Sequence, residues 1–398
     1  MVATATCPRC EAPADYLYFN DGKKRSQLRC KVCDELFQLD KRHRAQAKYW
    51  CPHCQAALFR WKVRPLETIY KCPNDNCPAY RRAKNQLSDD EKKLQQQRSS
   101  QFKLHYQYRE HHYTESHLQH AAPSPSRVDL GKIHHPPHLV GLILAFHVSF
   151  ALGARKTAQV LRQIFGIAIS YQTVLNYAEA AAYYCHLFNL VHKGEIDDHS
   201  AGDETYIKIC GQHGYVFFFI AADSRKIIAY HAADSRGTLP ATIAMREAIR
   251  TARPDQALVL ITDGNPAYPD GIHFLNAQSR RVGTASSGTE ISSGAGSITH
   301  HKVIGLQNLD SESEEFRPYK QLIERLNRTY KYHIRAANGF GSWNGAIALT
   351  ALFVTHYNFL RPHLALRYNV PIPRDDLAAI SLLQNQWCHI IDAAAQLA

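Results

Sequence analysis

The sequence predicts a multidomain α+β/α/β chain: two small cysteine-clamped modules, a helical region, and a mixed sheet flanked by helices. Three observations predict it. Eight of the eleven cysteines fall in the first 77 residues as four close pairs. Residues 139–184 carry helical apolar spacing broken by a glycine-containing turn, and from residue 203 three strand-like runs precede a helical stretch and another apolar run. The expected divisions are 1–47 and 48–85 for the cysteine modules, 86–136 for a basic, histidine-rich connector, and 137–197 for the helical domain. Residues 198–370 form the sheet domain and 371–398 a C-terminal helical tail.

Composition bounds the class. At 398 residues the chain can bury two or three separate cores. Hydrophobic residues at 45% and charged residues at 21% are ordinary for a soluble protein. The net charge of +12 is uneven: residues 1–135 hold 24 Lys+Arg against 14 Asp+Glu. A basic front on a near-neutral remainder suits a polyanion, nucleic acid first. The N-terminus lacks an apolar secretory core, and the most apolar run, Leu139 to Ala154, is too short to span a bilayer and contains His147. No membrane partner and a cytoplasmic setting are expected, where paired cysteines read as metal ligands before disulfides.

The modules come first in the chain. Cys7 and Cys10 are followed after 19 residues by Cys30 and Cys33; Cys51 and Cys54 are followed after 17 by Cys72 and Cys77. A C-x₂-C knuckle sets two thiolates on one turn, and a second knuckle carried over by a hairpin completes a tetrahedral four-sulfur site. The intervening Tyr16–Phe19 and Glu67–Tyr70 are aromatic and β-branched, as hairpin strands are. Two zinc ribbons follow, with two structural Zn²⁺ per chain. Cys185, Cys210 and Cys388 lie outside the pattern and read as buried thiols, and His53 is not needed as a ligand. Lys23, Lys24, Arg25, Lys41, Arg42, Arg44, Arg60, Lys62 and Arg64 favour DNA as what the ribbons touch, with protein contact the alternative.

From Arg81 to Pro137 the composition turns to Gln, Ser, His and charge, ending in Ala121-Ala-Pro-Ser-Pro-Ser126, which reads as a partly helical connector and a hinge. Its histidines (105, 111, 112, 117, 120, 134, 135, 138) follow no ligand spacing and read as solvated or phosphate-facing. Three helices follow: Leu139–Phe150, Ala154–Phe165 with Arg155, Lys156 and Arg162 on its polar side, and Tyr171–Tyr184 capped by Ser170. A helix, a glycine turn and a helix opening on Tyr171, Gln172, Thr173 and Asn176 form the pattern of a DNA-reading helix-turn-helix. A plain helical hairpin fits the periodicity equally well; position just before a sheet domain with clustered acids favours DNA.

In the sheet domain, Thr205–Cys210, Tyr215–Ala221 and Lys226–Ala232 read as antiparallel strands, Pro240–Arg253 as a helix and Ala257–Ile261 as a fourth strand. Asp203 opens the first strand and Asp263 follows the fourth; Glu324 lies on a helix placed to cross the sheet. Three carboxylates brought together repel unless cations hold them, and Mg²⁺ (or Mn²⁺), two per active site, takes such oxygen ligands and serves phosphoryl transfer. Glu204, next along the strand, points to the opposite face; Asp223, Asp234, Glu314 and Glu315 read as solvated. Trp343, Tyr357 and Phe359 on helix Ser342–Leu360 read as core, and Arg361 and His363 at its end as phosphate contacts.

Asp203-Glu-Thr-Tyr-Ile-Lys-Ile, Thr262-Asp-Gly-Asn, Ile323-Glu-Arg-Leu-Asn-Arg-Thr-Tyr-Lys331 and Tyr357-Asn-Phe-Leu-Arg-Pro-His363 resemble the DDE transposases of bacterial and archaeal insertion sequences. The nearest likeness is to the group numbered six, related to retroviral integrases, over roughly residues 139–370. The resemblance implies an RNase H-like catalytic domain with Asp203, Asp263 and Glu324 as its metal-binding triad. It implies that Lys331 contacts transposon-end DNA, and a nucleoid-associated prokaryotic protein; Arg328, on the same helix, reads as a further DNA contact. The 61 residues from Asp263 to Glu324 are about twice the group's usual separation; the excess is Gln278–Thr299, Ser/Gly-rich and read as a disordered surface insertion, with His300–Gly305 as a fifth strand or target-facing loop.

The expected function is a transposase that binds terminal inverted repeats on double-stranded DNA, nicks the 3′ ends and joins them to target DNA. A homodimer or higher synaptic assembly would hold two ends. A structure-specific nuclease on the same fold would cut without joining, and a DNA-binding regulator would keep the fold without the chemistry; the three acids argue against the regulator.

Overall fold

The computed structural model describes residues 5–22, 27–38, 47–282, 298–305 and 311–397. It forms two compact units, Met1–His112 and Tyr113–Ala398.

In the first unit β1 (Leu17–Phe19), β2 (Leu28–Cys30) and β3 (Leu36–Phe37) make an antiparallel sheet over a core of Cys7, Ala12, Leu28, Cys30 and Phe37. Next come the hairpin β4 (Phe59–Arg64) and β5 (Glu67–Lys71), the helices α1 (Pro78–Asn85) and α2 (Asp89–Gln97), and β6 (Gln107–His111). Pro78 opens α1 where its fixed φ suits a first helical residue, and Ser88 with Glu91 forms a capping box on α2. β6 pairs antiparallel with β5 as the third strand of that sheet, and Tyr108 packs on Tyr49 and Tyr70. Residues 107–111 therefore complete the second cysteine module instead of belonging to the expected connector.

The second unit opens with residues that the sequence reads as a hinge but that are pinned. The Ala121 N–H donates to His231 Nδ1 (3.1 Å), the Ser124 N–H to Asn344 Oδ1 (2.7 Å), and Val128, Leu130 and Ile133 pack on a helical core. That core joins α3 (Pro137–Leu144, continuing as a π turn Ala145–Ser149), α4 (Ala154–Phe165) and α5 (Tyr171–His192). Gly166, at φ +67°, closes α4 in the left-handed conformation, and the Ser170 side chain accepts from the Thr173 N–H as its cap role requires. α5 runs on to His192 because Ala180, Ala181, Ala182, Cys185 and Phe188 are buried, so packing carries it past Tyr184.

The sheet is built from β7 (His199–Ile209), β8 (Gln212–Ala221), β9 (Ile227–Ala233), β10 (Leu258–Thr262) and β11 (Ile298–Lys302), with α6 (Thr238–Ile249) before β10 and α7 (Ala267–Val282) after it. Its order is β11-β10-β7-β8-β9; β7, β8 and β9 are antiparallel, β10 is parallel to β7 and β11 to β10. Period-two alternation divides β8: Phe217 and Phe219 face α6 and α7, while Val216 and Phe218 face α8 (Ser311–Arg335) and α9 (Trp343–Thr355, continuing as a π turn His356–Leu360). α9 also lends Ala348, Leu349 and Leu352 to the helical core, tying that core to the sheet.

Two boundaries differ from expectation. Gln278–Val282 ends α7 and Ile298–Thr299 begins β11, so the insertion is at most residues 283–297, which lie outside the described residues. The segment 371–398 is no tail: after the short α10 (Asp375–Ala378), α11 (Leu383–Ala395) packs its fully buried Trp387 with Ile390 and Ala394 into the helical core. Gly141 of α3 allows that close approach, since a Cβ there would fall 2.1 Å from the Gln384 carbonyl oxygen. No described helix is long and apolar enough to cross a membrane.

Candidate active site and cysteine clusters

β7 and β10 run side by side in the register His199↔Val259 to Ala201↔Ile261. That pairing brings Asp203, on β7, beside Asp263, one residue beyond β10. Asp203 is the fifth residue of its strand, not the first, because pairing with β10 extends β7 back to His199. Asp263 closes a turn by accepting from the Asn265 N–H (2.9 Å).

α8 supplies the other wall. Asn327 Nδ2 donates to Asp203 Oδ2 (3.2 Å), and Lys320 Nζ lies 3.1 Å from the same oxygen and 4.0 Å from Glu324 Oε1. Lys320, Glu324 and Asn327 occupy i, i+4 and i+7, so one helical face presents all three. The Lys320 side chain is 8% exposed and that of Glu324 34%. Glu324 thus reaches the edge of the acid group through a lysine. Glu314 and Glu315 belong to the first turns of α8 and are exposed, as are Asp223 and Asp234.

Glu204, unlike the other acids set aside above, has a buried side chain. It does face away from Asp203 along the strand, yet its side chain is 6% exposed. It accepts from Tyr268 Oη (2.6 Å) and Asn265 Nδ2 (3.1 Å) and pairs with Arg236 (3.2 Å). The loop after β10 and the first turn of α7 enclose it through Asn265 and Tyr268. Single carboxylate oxygens of Asp203, Glu204 and Asp263 all lie within 4.8 Å of one another. Burial pushes the Asp203 carboxyl up to about 6, against the pull of the Lys320 ammonium, and drives the Tyr268 hydroxyl well above its usual range. Half-buried carboxylate oxygens with incomplete compensation are a donor set that fits a hard divalent cation such as Mg²⁺. Lys320, Asn327, Asn265 and Tyr268 escape sequence reading, although the i+4 spacing of Lys320 to Glu324 was a usable signal.

The basic and polar residues expected at DNA lie on exposed helix surface. Tyr171 and Gln172 are exposed and Thr173 and Asn176 half-buried; Gln172 Nε2 donates to Asn176 Oδ1 (2.9 Å) and the Arg155 guanidinium stacks 5.2 Å from the Tyr171 ring. Arg328 and Lys331 are exposed on α8, Lys331 lying over the Tyr206 ring at 4.1 Å. Tyr357 and Phe359 are core as read, but Trp343 is 38% exposed, and His363 turns its Nε2 to the Tyr357 carbonyl (3.3 Å). Among the connector histidines, His120 is enclosed by His186, Tyr230 and His231, and His135 bonds the Tyr177 hydroxyl (2.8 Å), so neither is solvated.

In the first unit the eight paired cysteines gather as Cys7, Cys10, Cys30, Cys33 and as Cys51, Cys54, Cys72, Cys77, each set with all sulfurs within 4.8 Å. The nearest pairs are Cys7–Cys33 and Cys54–Cys72 at 3.5 Å, Cys10–Cys30 at 3.6 Å and Cys51–Cys77 at 3.8 Å. Disulfide sulfurs lie about 2.05 Å apart; a tetrahedral site with Zn–S near 2.3 Å sets them about 3.8 Å apart. Burial raises the Cys54 thiol, but the Ala56 backbone N–H and the neighbouring thiols outweigh it and bring it down to about 7. His53 instead meets the Tyr106 ring edge-on. Of the unpaired cysteines, Cys185 is buried as read, whereas Cys210 is exposed between β7 and β8 and Cys388 is half-buried where α11 meets α3. Lys23, Lys24, Arg25, Lys41, Arg42 and Arg44 lie outside the described residues; of the rest, Lys62 stacks over Trp61 (4.2 Å) and Arg64 pairs with Glu67 (2.6 Å).

Residues 199–288 match a DDE domain model drawn from transposases, and residues 317–371 match an integrase core domain model. Asp203 and Asp263 fall in the first match and Glu324 in the second. No protein of curated function matches the chain in sequence. Among solved structures it is similar to the HTLV-2 integrase catalytic core domain in complex with magnesium, at 15% identity over 43% of this chain and 91% of that one, TM-score 0.27. It is also similar to the simian T-cell lymphotropic virus intasome in complex with the PP2A regulatory subunit B56 gamma, at 16% identity over 56% and 70%, TM-score 0.27. The two matched segments supply the strands and the helix that meet at the acids: the chain carries a DDE transposase/integrase core and is a polynucleotidyl transferase.

Proposed function

We propose that this enzyme is a DNA transposase, closest to insertion-sequence group six, acting on the ends of its own element. The observation that carries the reading is Asp203 beside Asp263, from adjacent parallel strands, with Glu324 on the facing helix reaching that edge through Lys320. These three would hold two Mg²⁺ (or Mn²⁺), which when bound supply activation of the attacking oxygen and stabilisation of the leaving one. Asn327 orients Asp203, and Glu204 is a positioning acid: its oxygens are committed to Tyr268, Asn265 and Arg236, which fix the loop bearing Asp263. Arg328 and Lys331, one and two turns beyond Glu324, would bind backbone phosphates of the transposon end. Tyr171, Gln172, Thr173 and Asn176 would meet base edges of the terminal repeat.

Two structural zincs on the cysteine quartets would fold the front unit, whose basic surface adds affinity for duplex DNA. The protein works in the prokaryotic nucleoid as a homodimer or larger synaptic assembly, because two ends must be joined to one target. The test is a strand-transfer assay with DNA that flanks the gene, in Mg²⁺. Nicked 3′ ends joined to target DNA support the reading; nicking without joining makes the protein a nuclease, and binding with neither makes it a regulator.

A further inference from the structure

The buried lysine of the acid group has no place in the chemistry above. Lys320 is 8% exposed at its side chain, and its ammonium has Asp203 (3.1 Å) and Glu324 (4.0 Å) as carboxylate neighbours. An ammonium taken out of water costs several kcal/mol unless paired, so these two acids are what keep it inside. They are also two of the three proposed metal ligands. A unit positive charge about 3 Å from a ligand oxygen strongly opposes a divalent cation on that oxygen. Lys320 in this position and an ion shared by Asp203 and Glu324 therefore exclude one another.

For the edge to take an ion, the ammonium must find another anion. Its four-carbon stem lets it swing without moving α8. It lies one turn before Glu324 on the helix whose exposed side carries Arg325, Arg328 and Lys331. A polyanion lying along that side brings phosphates to it. We propose that Lys320 is a resident counter-ion, which holds Asp203 to Glu324 in the DNA-free enzyme and passes to a DNA phosphodiester when a strand docks. Metal binding on this edge is then coupled to DNA binding, and the enzyme completes its cutting site only on DNA. The inference rests on the reading of Asp203 and Glu324 as metal ligands.

The test measures Mn²⁺ binding to the full-length protein by electron paramagnetic resonance of free Mn²⁺, with and without a duplex oligonucleotide. In the unaltered protein DNA should tighten Mn²⁺ binding roughly tenfold, within the usual range of coupling between two sites. Lys320→Gln and Lys320→Met, each checked for folding by circular dichroism, should bind Mn²⁺ roughly tenfold more tightly without DNA and gain little more with it. Equal Mn²⁺ affinity in variant and parent, or an undiminished DNA effect in both variants, overturns the proposal. Asp203→Ala separates the two levels. If it keeps full Mn²⁺ binding, the metal-site reading fails; if it loses binding while the Lys320 variants behave like the parent, only the counter-ion role fails.

Discussion

Replacing Trp387 by Ala should destabilise the second unit severely, though this residue lies 63 positions beyond the last proposed catalytic acid in sequence. The indole is fully buried between α3, α5 and α11, and its Nε1 donates to Ser149 Oγ at 3.0 Å. Truncating a buried aromatic to Ala costs about 3–5 kcal/mol, the larger value where the wall cannot collapse. Collapse is resisted here because Gly141 already holds α3 against the α11 backbone. At roughly 2–4 °C per kcal/mol for a domain of this size, the melting temperature should fall on the order of 10 °C. Gly141→Ala attacks the same seam from the other side, by driving a methyl into the Gln384 carbonyl, and should also destabilise. Urea unfolding followed by tryptophan fluorescence and circular dichroism measures both. Because α5 carries Tyr171 and Gln172 and is held by this seam, both variants should lose DNA affinity as they approach their midpoints. A Trp387→Ala protein within about 1 kcal/mol of the parent would refute the packing and restore 371–398 as a tail.

Three further outcomes are expected. Purified, reduced protein should contain two zinc ions per chain, and Cys72→Ser should lose one of them together with cooperative unfolding of Met1–His112; metal analysis finding none, or disulfides among the eight cysteines, refutes the clusters' reading. Burial pushes His186, His231 and His356 down to about 3. The folded protein keeps them neutral while the unfolded chain takes up protons below about 6.5, so stability is intact above that pH and falls below it. The loss from pH 7 to 5 is about 2 kcal/mol per histidine, and urea midpoints unchanged across that interval would contradict it. Residues 1–112 hold 22 Lys+Arg against 12 Asp+Glu, so a chain lacking them should bind duplex DNA more weakly and with a shallower salt dependence; an unchanged slope would assign the cysteine modules to protein contact.

Much of the site was legible because local chemistry announces it. Cysteine knuckles, a serine cap before Tyr171, and an acid just after an apolar strand are short-range signals, and the cysteines, Ser170 and Asp263 fall where the spacing placed them, whereas Asp203 lies inside its strand. What escaped is long-range. β6 has no meaning as a strand until β5 lies beside it, so residues 107–111 read as connector. Trp387 is one aromatic in a polar-looking segment until α3 supplies its pocket. Glu204 follows the alternation rule and points away from Asp203, but the rule cannot foresee that the loop after β10 folds around to bury it with Tyr268. His120 sits in a run of histidines without ligand spacing, and the residues that enclose it, His186, Tyr230 and His231, are distant in sequence. Lys320 was half hidden: its i+4 spacing to Glu324 is a local signal, but its pairing with an acid 117 residues away leaves no trace in local composition.

Asp203, Asp263 and Glu324 are proposed to carry the chemistry on DNA held by other residues. The direct measurement is cleavage and strand transfer, alongside DNA affinity, for Asp203→Ala, Asp263→Ala and Glu324→Ala in Mg²⁺. Each should abolish both reactions while leaving DNA affinity equal to the parent's or tighter, since a negative charge is removed from the site and the basic side chains remain. Glu204→Gln, which replaces an acid already committed to Tyr268, Asn265 and Arg236, should keep measurable activity. Full activity in the Glu324 variant with loss in Glu204→Gln would move the third acid to Glu204, and full activity in all three Ala variants would remove the chemistry from these acids altogether.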